Sequence, residues 1–278
     1  MSFWKNIFGY KTGKNNTKTG SHFDTYRNEL HKLNLKSISD LEALVKPLIR
    51  ETTKIEVLPA SRPPENSQLN SHFGGQPYFE KGEHWPTTKD GKALDFIFQV
   101  FNAPDLDLPK HIALIQFYYD WEVSPWDSID DGWKVKIYPK VNPEHLKFIE
   151  KPETSYTSSY CGIAFKPTRT LPDWEGIDLH CPDASKLSCV LNENEPWEPY
   201  DQVVTKLIGE QDYQSQLGGY PKWVQGEATP KDNEGKSMKL LFQIDSEDHA
   251  GLMWGDTGLI YVFYDPKSER IEFTLQCY

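Results

Sequence analysis

The chain aligns with itself. When it is displaced by 144 residues, positions 71–100 fall on 215–244 without a gap, and eleven of the thirty pairs are identical. Ser71, Gly74, Gly75, Pro77, Gly82 and Glu83 meet Ser215, Gly218, Gly219, Pro221, Gly226 and Glu227; Pro86, Gly91, Lys92, Phe98 and Gln99 meet Pro230, Gly235, Lys236, Phe242 and Gln243. One more residue of displacement sets LIQFYYD, 114–120, on LIYVFYD, 259–265. The sequence therefore reads as two copies of one supersecondary unit, and the fold must place that unit beside its own repeat. The copies cover about residues 55–140 and 200–278 of a single domain expected over 24–278.

Each copy reads as a Gly-Gly-x-Pro turn, a loop, a Gly turn, a strand, a second loop and an aromatic strand. The paired glycines permit positive φ, and the proline holds the residue before it near extended geometry. In the strand, Leu94, Phe96, Phe98 and Val100 are expected on one face, as are Met238, Leu240, Phe242 and Ile244, with Gln99 and Gln243 on the other. A polar residue in that position either hydrogen-bonds the neighbouring loop backbone, the commoner fate of a buried amide, or lines a pocket.

Outside the copies, Phe23, Tyr26, Leu30 and Leu33 recur at helical spacing, and Ser39 with Glu42 resembles a capping box ahead of Leu41, Leu44, Val45, Leu48 and Ile49. Pro47 should kink that helix. Ile55 and Val57 alternate as in a strand, and strands are expected at 134–138 and 162–166. Asn142 and Pro143 open a short helix through Phe148, and Pro199, Tyr200, Val203, Val204, Leu207 and Ile208 mark an amphipathic one. The fold class is thus α+β and β-rich: two pseudo-symmetric, mainly antiparallel halves from an internal duplication, with a few peripheral helices.

Charge narrows the partners. With 30 Lys and Arg against 41 Asp and Glu, a net charge of -11 argues against nucleic acid, whose binders cluster positive charge. Four cysteines, Cys161, Cys181, Cys189 and Cys277, are too few for a disulfide framework and read as free thiols in a reducing compartment, so a cytoplasmic location is expected. The first twenty residues lack the apolar run of a secretory signal, and no stretch suits a membrane span or stable membrane insertion. Residues 1–23 form a basic tail and linker; Phe3, Trp4, Ile7 and Phe8 would share a helical face, giving either a weak interfacial anchor or aromatics that dock on the domain.

The strings GGQP, HWP and FIFQV in the first copy, with LGGYPKWVQGE, LLFQID and LMWGDTGLIYVF in the second, resemble the YwqG-like family of bacterial proteins, a domain of unknown function. The likeness runs from about Leu41 to the C-terminus, and Phe79, Glu80 and 101–103 depart from the family pattern. The resemblance implies a β-rich, internally pseudo-symmetric fold and no activity. Some relatives resemble proteins encoded beside secreted toxins, which implies a toxin-neutralising role by association alone.

No catalytic motif is found. The eight histidines form no H-E-x-x-H pair, and His180 with Cys181 and Cys189 fits no common zinc spacing. Asp127, Asp130, Asp131 and Gly132 lack the spacing and terminal Glu of a calcium loop. No G-x-S-x-G elbow, phosphate loop or dinucleotide fingerprint occurs, so no cofactor or metal is expected. Two stretches combine acids with rings and hold no base: 120–131 carries Asp120, Trp121, Glu122, Trp126, Asp127, Asp130 and Asp131, and 191–201 carries Glu193, Glu195, Trp197, Glu198, Tyr200 and Asp201. Such loops are either solvated or an interface for a basic protein, where charge hastens encounter and Trp supplies anchors. The functional expectation is a non-catalytic protein-binding role, in the form of immunity-type neutralisation of a basic toxin. The alternative is a small-molecule-binding protein, or an enzyme without a recognisable motif, with a pocket between the copies near Gly74, Gly75, Gln99, Gly218, Gly219, Gln243, Trp254 and Asp256.

Overall fold

The computed structural model describes residues 20–278 except 155 and 157; the expectations for the tail face at Phe3 to Phe8 lie outside the described residues. Ten strands form one sheet: β1 (Arg50–Val57), β2 (His72–Phe73), β3 (Asp95–Phe101), β4 (Leu114–Tyr119), β5 (Trp133–Tyr138), β6 (Cys161–Thr170), β7 (Gln216–Leu217), β8 (Lys239–Asp245), β9 (Leu259–Tyr264) and β10 (Ile271–Gln276). Their order is β10-β9-β8-β7-β1-β6-β2-β3-β4-β5, every neighbour antiparallel. The twisted sheet curls until its outer strands approach: Trp133 on β5 stacks on Phe273 of β10 at 5.2 Å. The result is a nearly closed barrel, which protects edges that would otherwise invite pairing.

The two flanks carry matching registers. His72 and Phe73 pair with Gln99 and Phe98, and Gln216 and Leu217 pair with Gln243 and Phe242. Both long strands then carry a bulge against their aromatic neighbours, between Phe96 and Phe98 in β3 and between Leu240 and Phe242 in β8. That bulge corrects the expected strand faces. An extra residue reverses the alternation, so Leu94 and Phe96 pack outside the barrel with Phe79, Trp85 and Tyr118, whereas Ile97, Phe98 and Val100 point inward. In β8, Met238 and Leu240 likewise lie outside with Trp223, Tyr261 and Phe263, and Leu241, Phe242 and Ile244 lie inside.

The interior is one aromatic core shared by both flanks: Phe242 meets Phe98 edge-on at 5.0 Å and Phe117 at 5.8 Å. Edge-to-face rings favour such packing beyond the area they bury. A second core lies under the helices α1 (Gly20–Lys32), α2 (Ile38–Val45), α3 (Ile177–His180), α4 (Pro182–Leu191) and α5 (Trp197–Ile208), around Leu30, Leu41, Val45, Leu171, Leu187 and Tyr200. It sits where β1 starts and β6 finishes, since Arg50 pairs with Thr170; this is the helical end of the barrel. The opposite, loop end is where β1 finishes and β6 begins.

Local expectations are corrected at four places. The capping box of α2 is Ser37 with Asp40, whose carboxylate accepts from the Ser37 N–H at 2.9 Å, because burial of Leu41 and Val45 sets the helix start at Ile38. Pro47 lies in a short 3₁₀ turn, Lys46–Leu48, that follows the helix. The segment after Asn142 makes only a 3₁₀ turn, Pro143–His145, because Glu80 holds the Asn142 N–H and side chain and Leu146 bridges to Glu80 as an extended residue. Helix α1 starts at Gly20, ahead of the expected boundary at Asp24.

Candidate functional site

The two Gly-Gly turns fall at opposite ends of the barrel. Gly74 and Gly75 lie at the loop end against Ser158, Ser159 and Tyr160; Gly218 and Gly219 lie at the helical end against Asp107, Thr52 and Thr170. Antiparallel β1 and β6 form the middle of the sheet, so the matching registers on its two sides are inverted end for end. The two turns named for the alternative pocket therefore do not border one another. Gln99 and Gln243 are fully buried against loop backbone. The Gln99 carboxamide accepts from the Tyr78 N–H at 2.9 Å and donates to the Gln68 and Asn70 carbonyls, and Gln243 accepts from the Lys222 N–H at 2.9 Å and donates to the Gln214 carbonyl. Bonds of this kind satisfy amide and loop together.

The two acidic stretches also separate. Residues 120–131 leave β4 at the loop end and cross the seam: the Leu275 N–H donates to the Trp126 carbonyl at 2.8 Å, Asp127 bridges to Thr274, and the Ser128 hydroxyl accepts from the Phe273 N–H at 2.7 Å. Residues 191–201 lie in the helical layer, where Glu193 pairs with Arg27 and the Tyr200 hydroxyl donates to the Pro172 carbonyl. They form two surfaces, not one.

Within the seam loop the carboxylates shape the backbone. Asp120, 2% exposed, accepts from the Glu122 N–H at 2.9 Å, from the Val123 N–H at 3.3 Å and from Lys92 Nζ at 2.8 Å, which also pairs with Glu122. The lysine and the two N–H groups hold the Asp120 carboxyl below its usual range against the pull of burial. Asp130 accepts from the Trp126 N–H at 2.8 Å, Asp127 from the Ile129 N–H at 2.8 Å, and Asp131 from the Lys89 N–H at 2.9 Å. The bonds of Asp130 and Asp127 are the turn-forming habit of Asp, and that of Asp131 ties the loop to the turn before β3. They present Val123, Trp126 and Ile129 outward at 53%, 48% and 88% exposure.

Trp121 and Trp254 come together. Their rings stack at 4.8 Å, Trp254 is fully buried, and its indole N–H donates to the Asp245 carbonyl. Trp121 therefore packs on the core, whereas Asp256 is exposed at the same end and accepts the C-terminal Tyr278 N–H. In the other stretch, the Asn192 side chain accepts from the Glu195 N–H and donates to Glu198. A shared hydrogen bond with Glu198 and the repulsion between the two raise the Glu195 carboxyl. Trp197 and Glu198 border a shallow groove of about 610 Å³ along α5 with Asp201, Gln202, Thr205 and Lys206.

Two features escaped the sequence. A cleft of about 480 Å³ opens at the loop end between residues 60–63 and 158–160, with Lys151 and Gly75 on its walls. Lys151 lies in an irregular segment without periodicity, so nothing in the pattern marked it. Asp173 is the second: burial lifts its carboxyl to about 7, although it accepts from the Trp223 and Gly176 N–H groups. It fastens the helical layer to the second flank. Among the described residues, no three His, Cys, Asp or Glu side chains converge to hold a metal ion, and no helix is long and apolar enough to cross a membrane. His180 packs edge-on against Tyr220 at 4.8 Å, and the four cysteines are unpaired thiols.

Among curated proteins none matches the chain. Residues 71–270 match the family described as Domain of unknown function (DUF1963). The match spans both flanks of the barrel and most of the chain, and the protein belongs to that family.

Proposed function

We propose that the protein is a non-catalytic binding protein whose partner is a basic protein, engaged at the loop end through Trp126, Ile129 and Val123 within the frame of Glu122, Asp127, Asp131 and Asp256. The observation that carries this reading is the exposure of Trp126 and Ile129 on a loop held rigid by its own carboxylates and by β10. Rigid aromatic anchors lose little freedom on binding, and surrounding negative charge steers a cationic partner. Neutralisation of a basic toxin in the cytoplasm is the role this chemistry suits, and it agrees with the YwqG-like character of the motifs. The matched registers and bulges support descent of the two flanks from one duplicated unit, with the second flank keeping a tight hairpin, 265–270, where the first grew the seam loop.

The test uses the immobilised full chain and a Trp126→Ala/Ile129→Ser variant with an unchanged circular dichroism spectrum, each exposed to extract of the source cells. The reading expects a basic protein retained by the first and lost from the second. Its purified association rate should fall as salt rises from about 50 to 500 mM, because the Debye length shrinks from roughly 14 to 4 Å. Equal retention by both chains, or salt-independent association, contradicts it.

A further inference from the structure

The cleft at the loop end has the chemistry of a ligand site distinct from the seam loop. Its floor is fixed by the first Gly-Gly turn: a Cβ on Gly75 would stand 2.9 Å from Tyr160 Cδ2, so glycine there lets Tyr160 approach the turn closely. From behind, the buried His72 ring packs on Tyr160 at 5.0 Å. The phenol ring is thus held in place by the turn and by His72, and it forms part of the cleft wall. Ala60, Pro63 and three serines, Ser61, Ser158 and Ser159, complete the lining.

Lys151 is the odd member. The other partly buried lysines are satisfied: Lys54 pairs with Asp212, Lys136 with Glu83 and Lys186 with Glu29, while Lys222 lies over the Tyr213 ring and donates to the Tyr213 carbonyl. Among the described residues, Lys151 donates a hydrogen bond to the Tyr156 carbonyl at 3.3 Å and no carboxylate stands within ion-pairing distance of it. Asp95 attracts it from farther away, and Asp95 itself, 3% exposed, has one carboxylate oxygen without a hydrogen-bond partner. Burial disfavours the ammonium more than Asp95 favours it. A partly buried lysine without a carboxylate partner, beside a fixed aromatic ring and an apolar rim, is complementary to an anion carried on a flat apolar body.

We propose that this cleft binds a small organic anion, a carboxylate or phosphate monoester on an aromatic ring, with the anionic group on Lys151 and the ring against Tyr160. The volume of about 480 Å³ fits one such molecule. The second flank has no counterpart, since its Gly218 and Gly219 turn is filled by Asp107 and the threonines of β1 and β6.

The experiment is an amide NMR titration of the full chain with benzoate and with phenyl phosphate, with benzyl alcohol and inorganic phosphate as the ring-only and charge-only arms. At least one of the two anions should shift the Gly75, Lys151 and Tyr160 amides, and the arm that binds tighter identifies the anionic group. Lys151→Met should weaken that binding about tenfold or more, the worth of a charge-assisted hydrogen bond. Ala60→Trp, at the exposed rim and away from the core, should block the cleft and abolish binding. The proposal is overturned if neither anion shifts those amides at about 10 mM, a concentration that would reveal even millimolar affinity, or if Lys151→Met leaves the affinity within twofold. It is equally overturned if benzyl alcohol binds as well as the anions.

Discussion

Gly219 and Gly235 share a positive φ, +70° and +79°, and have opposite surroundings. A Cβ on Gly219 would collide with Thr170 and stand 2.8 Å from the Thr52 hydroxyl, whereas one on Gly235 meets nothing within 4 Å. Gly235→Ala should therefore cost only the left-handed strain, about 1 kcal/mol, and Gly219→Ala that strain plus overpacking, about 2–4 kcal/mol. Melting curves of the two variants check the difference, which should exceed about 3 °C at 2–4 °C per kcal/mol. Glycines of this kind were legible because only they suit both turn geometry and close approach. Glu247 was not. It accepts from the Ser215 hydroxyl, and burial lifts its carboxyl to about 7. Its folded value lies above the unfolded one near 4.5, so the stability it contributes is full below pH ~4.5 and is lost as pH rises through about 7. The melting temperature of the wild-type chain relative to Glu247→Gln should fall between pH 5 and 8; a constant difference would contradict the assignment.

Among the elements, β3 and β8 show what a repeat can and cannot reveal. The motif located both strands and their shared glutamine, but a bulge leaves no mark in apolar spacing, because Ile97 and Leu241 are as apolar as their neighbours. Long-range pairing with β4 and β9 decides which face each residue takes. The acidic stretches show the same limit, for sequence proximity of acids and rings says nothing of which end of a barrel they reach. Composition joined Trp121 and Trp126 as equals; the structure gives them different surroundings. Trp121, stacked on Trp254, should cost about 2–4 kcal/mol of stability on truncation to Ala, while the half-exposed Trp126 should cost under about 1 kcal/mol. Chemical denaturation of both variants distinguishes the two. Similar losses would mean that the seam loop is held by Trp126 rather than by its backbone bonds to β10.

At the level of the whole molecule, both flanks share one interior, so neither can unfold alone. Phe242→Ala, which removes the ring between Phe98 and Phe117, should cost about 3–5 kcal/mol. It should also raise hydrogen exchange in β3 as much as in β8; loosening confined to β8 would mean that the flanks are independent units. The aromatic load of the sequence announced a large core, and the repeat announced two flanks. The inversion that sends the two Gly-Gly turns to opposite ends follows from antiparallel β1 and β6, pairing across more than a hundred residues that no local pattern encodes. The loop end also carries the seam loop and its exposed apolar residues, which is why we propose the binding role there. The most direct test is site-specific photocrosslinking in the native cell, with the photoreactive residue at position 129 on the seam loop or at position 202 on the α5 groove. The account predicts a crosslink to one basic protein from 129 and none from 202; crosslinks from 202 alone would contradict it.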